Sequence, residues 1–243
     1  MLVSPQQLID IFGVKPSPVL HVGAGFFEEV DLYSNAGYSP VIWVDCNPQT
    51  ISLSKEKVQS PNKFIEALVS SEHGNTTQLN LAGLSSSVFF RPGHDEAFPQ
   101  IKYQGSITLT TTRLDLLLSE TECPKFVNMD IEGSELDALI GMGELVEKVD
   151  TFYLEVSKPG WGLHANFRDV RRFLRNIGFK EVGIFWYWDK GFGDAIYIRK
   201  SLNRNSRTKL RSRLFLANWQ WRRCKNSIFL FRNRILSWKN HGS

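Results

Sequence analysis

The sequence predicts an α/β fold, with a mostly parallel, doubly wound sheet, an antiparallel last strand and a basic helical extension at the C-terminus. Three observations lead there. Short apolar runs alternate with segments of helical pattern at the spacing of right-handed crossovers. The last two apolar runs face each other across "DKGFGD". Charge also segregates, because residues 200–243 hold twelve Lys and Arg and no acid, which leaves 17 basic against 25 acidic residues in 1–199.

The elements follow in order. Residues 1–17 read as a helical lead-in. "PVLHVG" is a buried strand, followed by a Gly-containing turn and a helix from about Phe26 to Ala36. "PVIWVD" is the second strand. "PQTISLSKEKV" is a helix with Pro48 in its first turn, where a missing N–H costs nothing. "KFIEALVS", Lys63 to Ser70, is the third strand. Residues 71–105, rich in Ser, Gly, Asn and Thr, read as an inserted flap with short strands at "TQLNLAG" and "SSVFF". The alternation resumes with strand "PKFVNMD", helix "SELDALIGM", strand "DTFYLEVS" and helix "NFRDVRRFLRNIG". Strands "EVGIFWYW" and "DAIYIRK" close a domain spanning 18–199.

At 243 residues and 42% hydrophobic content, the chain supports one well-buried domain with appendages. Cys46, Cys123 and Cys224 are far apart and form no CxxC, so neither a disulfide framework nor a metal site is expected. No signal peptide and no membrane-spanning apolar run is visible, and a reducing cytoplasm is the expected compartment.

In a doubly wound sheet, ligands sit beyond the carboxyl ends of the strands. At the first such tip, Gly23 and Gly25 permit a tight turn. At the second, Asp45 suits a ribose diol. The other informative tips are Asp130, with Glu132 close behind it, and Glu155. A Gly-x-Gly turn with a strand-end Asp fits both dinucleotides and S-adenosylmethionine. Here Glu28 stands at the third glycine position beside Glu29, where a pyrophosphate wants a bare helix N-terminus, so the acidic surroundings favour the cationic methyl donor over NAD.

The runs "VLHVGAGFFEEVDLYSNAGYSPVIWVDCNP", "ALVSSEHGN", "GLSSSVF", "TRLDLLL" and above all "KFVNMDIEGSELDALIGM" resemble the FkbM family of S-adenosylmethionine-dependent methyltransferases. The resemblance covers about Leu20 to Arg199. It implies a Rossmann-like class I methyltransferase fold and methylation of a hydroxyl on a glycan or related metabolite. By position it implies a donor site of Gly23, Ala24, Gly25, Asp45, Cys46, Ala67, Leu68 and Asp130. His21 and Phe27 depart from the pattern, standing where the family carries an acid and where many methyltransferases carry a glycine. A non-catalytic binding module is therefore a further reading, beside the NAD oxidoreductase.

Methyl transfer to a hydroxyl needs alignment and removal of one proton. Asp130, Glu132 and His164 are the catalytic candidates. For Glu132 three roles stand open: base, ligand of a divalent cation, or partner of the helix that starts at "SELD" with a capping-box-like Ser134 and Asp137. Glu155 reads either as a site residue or as the partner of an arginine. His94 and Ser85 to Ser87 are weaker candidates from the flap.

In the tail, Leu210, Leu214, Ala217, Trp221, Cys224, Ile228, Phe231, Ile235 and Trp238 recur at alternating steps of four and three, a helical apolar stripe. Its flanking charges are all positive, which disfavours a coiled coil. An anionic membrane surface at the inner face and packing against the acidic body, in this chain or a homo-oligomer, both stand open. Nucleic acid is the least supported partner, since no recognition motif accompanies the arginines.

Overall fold

The computed structural model describes residues 1–89, 101–119, 122–159, 165–187, 191–202 and 204–220. Seven strands form the main sheet: β1 (Val19–Val22), β2 (Val41–Asp45), β3 (Lys63–Glu66), β7 (Phe126–Met129), β8 (Thr151–Ser157), β9 (Phe179–Trp186) and β10 (Phe192–Arg199). Their order is β3-β2-β1-β7-β8-β10-β9. β10 runs antiparallel to both β8 and β9, and the pairings from β3 through β8 are parallel. The order reverses between β1 and β7, which opens a crevice at their carboxyl ends.

The central strands β1, β2, β7 and β8 bury both faces, as parallel sheets do. Leu20, Val22, Val127, Met129 and Leu154 point to a layer closed by Leu139 of the Glu135–Ile140 segment, Met142 just after it and Leu174 of helix Phe167–Asn176. Val19, Val41, Trp43, Phe126 and Tyr153 point the other way, against Val3, Leu8 and Phe12 of the N-terminal lead-in and Tyr33 of helix Val30–Asn35. Ser4 and Gln7 form the capping box that starts the lead-in.

The expected strand Lys63 to Ser70 is divided. Ala67 N donates to Asp45 O at 2.9 Å, the last such bond along β2; Ser70 N then donates to Thr112 O at 2.9 Å. Beyond Ala67 the chain enters a second sheet of β4 (Leu68–Val69), β5 (Thr76–Asn80) and β6 (Ser106–Thr112), in the order β4-β6-β5. The insertion thus extends past residue 105. Its strand β6 went unread because its threonine-rich, half-exposed sequence resembles a polar loop. "SSVFF" forms a single antiparallel bridge, Ser87 to Asn80, instead of a strand. The expected helix from Phe26 begins only at Val30, because Phe27 takes a left-handed φ of 55°.

The tail is helical over 206–220, and of the two uses left open for its stripe the body takes neither Leu210 nor Leu214. Phe215, Leu216 and Trp219 pack on the N-terminal core layer; the Phe215 ring centroid lies 6.1 Å from Phe12 and 6.0 Å from Phe185. Leu210 and Leu214 are 57% and 61% exposed. The stripe reading followed spacing alone, whereas the body selects the face that carries the aromatics. Residues from Trp221 onward lie outside the described residues. Phe215→Ala should therefore cost roughly 1–3 kcal/mol in chemical denaturation, and Leu214→Ala should stay within about 0.5 kcal/mol.

Candidate functional site

A cavity of about 220 Å³ opens at the β1/β7 crevice. Gly23, Ala24, Gly25, Asp45, Cys46, Ala67, Leu68, Asp130, Glu132 and Glu155 all line it. Of the flap serines Ser85 to Ser87, Ser86 and Ser87 line it too and Ser85 does not. His164 and His94 lie outside the described residues.

The turn after β1 is shaped by what cannot be there. Gly23 has φ of 87°, and a Cβ on it would stand 1.9 Å from Asp130 O. Only glycine lets the tips of β1 and β7 touch. Asp45 then fastens the turn: Oδ2 accepts from Gly25 N at 2.8 Å and Oδ1 from Asn47 N at 2.8 Å. Burial pushes the Asp45 carboxyl up, and these N–H donors pull it back. Burial beside Asp45 pushes the Cys46 thiol up to about 12, leaving it inert as a nucleophile. Phe27 holds its left-handed conformation because its ring is buried against Trp43 and Phe64, with centroids 5.3 and 5.5 Å away.

The block "DIEGSE" divides its three acids between two tasks. Asp130 faces the open cavity and is exposed through it, with the other acids of the wall crowded around it. Glu132 takes φ of 56°, a conformation that costs a non-glycine residue energy, and its carbonyl accepts from Ser87 Oγ at 2.8 Å. Glu135 braces the loop, with Oε1 accepting from Ile131 N at 3.1 Å and Gly133 N at 3.2 Å. The expected Ser134 cap is absent, since Ser134 makes no side-chain capping bond. The nearby Glu135 carboxylate already takes the free loop N–H groups.

Seven acidic side chains line the cavity: Glu28, Glu29, Asp45, Asp130, Glu132, Glu155 and Asp194. No lysine or arginine among the described residues joins them; the Met1 amino group stands 3.5 Å from Glu29 Oε1. Asp194 escaped the sequence reading. Its one signal is a carboxylate inside the otherwise buried strand "FGDAIYIR". It accepts from Leu2 N at 2.8 Å and from the Tyr153 hydroxyl, so the lead-in is tied to the cavity wall. Among the described residues no arginine pairs with Glu155; the charges that act on it are Asp130, Glu132, Glu135 and Asp194.

Burial, then this mutual repulsion, holds the carboxyls of Asp130 and Glu155 well above the usual range. Burial also raises Asp194, and raises Glu135 to about 7. His21 moves oppositely: burial lowers it to about 4, so it is neutral at pH 7. Its ring stacks on Trp43 at 4.6 Å, with Nδ1 3.3 Å from the Tyr33 hydroxyl, to which Asn128 donates at 2.9 Å. His21 is thus a satisfied core residue under the cavity floor.

The donor set fits a cation and repels a pyrophosphate. The family comparison agrees, because residues 21–181 match the model of the methyltransferase FkbM domain. The chain belongs to the FkbM methyltransferase family. It is an S-adenosylmethionine-dependent methyltransferase of Rossmann-like fold, which sets aside the NAD reading. No curated protein matches significantly. Among solved structures, an S-adenosylmethionine-dependent methyltransferase from Aquifex aeolicus is similar at 15% identity and TM-score 0.46, over 81% of this chain and 90% of that one. Magnesium protoporphyrin IX methyltransferase from Synechocystis PCC 6803 is similar at 14% identity and TM-score 0.42, over 76% and 70%. Ribosomal protein L11 methylase from Lactobacillus delbrueckii subsp. bulgaricus gives 12% and 0.43, over 77% and 72%.

The raised acids set a pH dependence. An acid with a raised folded pKa binds more protons when folded, so its contribution to stability falls as pH climbs from about 4 through the folded value. His21 acts in the reverse sense, costing stability as pH drops from about 6.5 to about 4. Glu155→Gln should therefore raise the melting temperature of the ligand-free protein at pH 8 by about 2–4 °C, the equivalent of about 1 kcal/mol. The gain should fade toward pH 5 in thermal melts; equal melting at pH 8 would mean that the cluster carries no repulsion.

Proposed function

We propose that this FkbM methyltransferase methylates a hydroxyl of a glycan or a related hydroxylated metabolite. The observation that carries the reading is the acid-lined cavity at the β1/β7 crevice, where the Gly23–Gly25 turn and the tips of β2, β7 and β8 converge. Bound there, S-adenosylmethionine supplies a methyl group on a positively charged sulfur. Gly23, Ala24 and Gly25 hold its methionine end, Asp45 and Cys46 border the ribose, and Ala67 and Leu68 border the adenine. Asp130 holds the ammonium.

A neutral hydroxyl must lose its proton as the new C–O bond forms. Glu155, ionised once the cationic donor is bound, accepts that proton, since a carboxylate with raised proton affinity is the stronger base. Glu132, on its strained turn, orients the acceptor hydroxyl. His164, which follows β8 in the sequence, is the alternative base. No metal is assigned; among the described residues no His/Cys/Asp/Glu group has the arrangement of a metal site.

The same reading makes the protein peripheral at the cytoplasmic face of a membrane, with no role for nucleic acid. It is supported by the basic tail and by the absence, among the described residues, of any helix long and apolar enough to cross a bilayer.

Transfer of radiolabelled methyl from the donor to a panel of glycans and hydroxylated metabolites tests the proposal. Label appearing only in protein or RNA would refute it. Asp45→Ala should weaken donor binding in calorimetry by about 1–3 kcal/mol through lost charge-assisted hydrogen bonds. Glu155→Gln should cut turnover by about 10²–10⁴-fold and flatten the acid limb of the pH–rate profile. An unchanged profile would transfer the base role to His164.

A further inference from the structure

A second concavity, a groove of about 660 Å³, lies between the β9/β10 edge and helix 206–220. Lys180, Arg199, Lys200, Arg204, Lys209 and Arg213 line it, against one acid, Glu181. Glu181 is already engaged, accepting two bonds from Arg171 at 2.9 Å. Arg199 and Lys200 are partly spent on backbone carbonyls, Arg199 on Val149 and Val146 and Lys200 on Arg175. Arg204 differs from both. It is half-buried, its Nη2 donates to Ser212 Oγ at 3.0 Å, and its buried Nε has no hydrogen-bond partner among the described residues. Burial lowers its pKa, so its charge is held there at a cost. A guanidinium kept in this state suits an oxyanion that accepts from its free edge.

The helix beside the groove has a second, outward face. At about 3.6 residues per turn, Leu210, Leu214 and Ala217 share one side, opposite Thr208, Phe215 and Trp219, which face the body. Lys209 and Arg213 border that outward stripe on the groove side, and Arg207 and Arg211 on the other. Leu202, at the groove mouth, is 40% exposed. An apolar ridge between two rows of cations is the pattern of an interfacial helix. A second copy of this face would meet like charge, and no acid occurs in residues 200–243 to relieve it.

We propose that this face docks on an anionic phospholipid bilayer, with Leu202, Leu210 and Leu214 entering the headgroup boundary and a lipid phosphate seated in the groove against Arg204, Lys209 and Arg213. The proposal rests on the peripheral-membrane reading above and adds the site and its ligand. Ile198 pairs with Thr151 at the amino ends of the parallel strands, so the groove lies at the opposite end of the sheet from the methyl-donor cavity. Docking therefore leaves the cavity unobstructed.

Sedimentation of the full chain with phosphatidylcholine vesicles, with and without about 30 mol% phosphatidylglycerol, tests it. The expected result is binding only to the anionic vesicles, weakened by salt. It should fall at least about tenfold in Lys209→Glu/Arg213→Glu and in Leu210→Asp/Leu214→Asp. These exposed positions spare the fold, and calorimetric donor binding should be unchanged in both variants. Vesicle binding untouched by either double variant would overturn the groove and ridge as the site while leaving the peripheral reading standing. Absence of vesicle binding, or binding to RNA in its place, would overturn both.

Discussion

Seven carboxylates facing one cavity, with no lysine or arginine among its described walls, impose the constraint on which the rest of the site depends. Buried like charges repel, and a fold tolerates them only by keeping some protonated or by receiving a cation. Both remedies are in reach here. The Asp130 and Glu155 carboxyls hold protons more tightly than usual, and the family's methyl donor carries positive charge on sulfur and nitrogen. The repulsion stored among the cavity acids is the counterpart of the site's selectivity for a cation, a common exchange at binding sites.

The backbone is organised to keep that arrangement from relaxing. Gly23 brings β1 against the Asp130 carbonyl, Asp45 ties the turn through Gly25 and Asn47, and Glu135 occupies the loop N–H groups after β7. Ser87 reaches from the insertion to the Glu132 carbonyl, and Tyr153 and Asp194 anchor the lead-in at Leu2. The acids are thus fixed by strands, loops and both appendages at once. The second sheet and the N-terminal segment help to build the cavity and do not merely decorate it.

The strands of the main sheet were legible because each is an apolar run bounded by turn residues, and the tips at Gly23, Asp45, Asp130 and Glu155 followed from the rule that ligands bind beyond strand ends. What escaped had weaker local signals. β6 is rich in threonine and half-exposed, so periodicity could not distinguish it from loop. Asp194 comes from the antiparallel strand, whose start, not its end, borders the cavity, and a rule about carboxyl ends passes over it. The tail was legible as a helix over its described part, 206–220, but which face the body takes depends on tertiary fit: Phe215 and Trp219 pack on Phe12 and Phe185, and Leu210 and Leu214 stay exposed. His21 and Phe27 looked like losses of function on sequence grounds. In the structure one completes a buried polar network and the other fills a hydrophobic pocket from a left-handed turn.

Proton counting on donor binding tests the central claim most directly. If the cavity acids are protonated when empty and discharged by a cation, titration of the protein with S-adenosylmethionine at pH 7, in buffers of different ionisation enthalpy, must show net proton release. The account predicts net proton release on donor binding, diminishing in Glu155→Gln and toward high pH. Binding with no proton release, or with uptake, would contradict it.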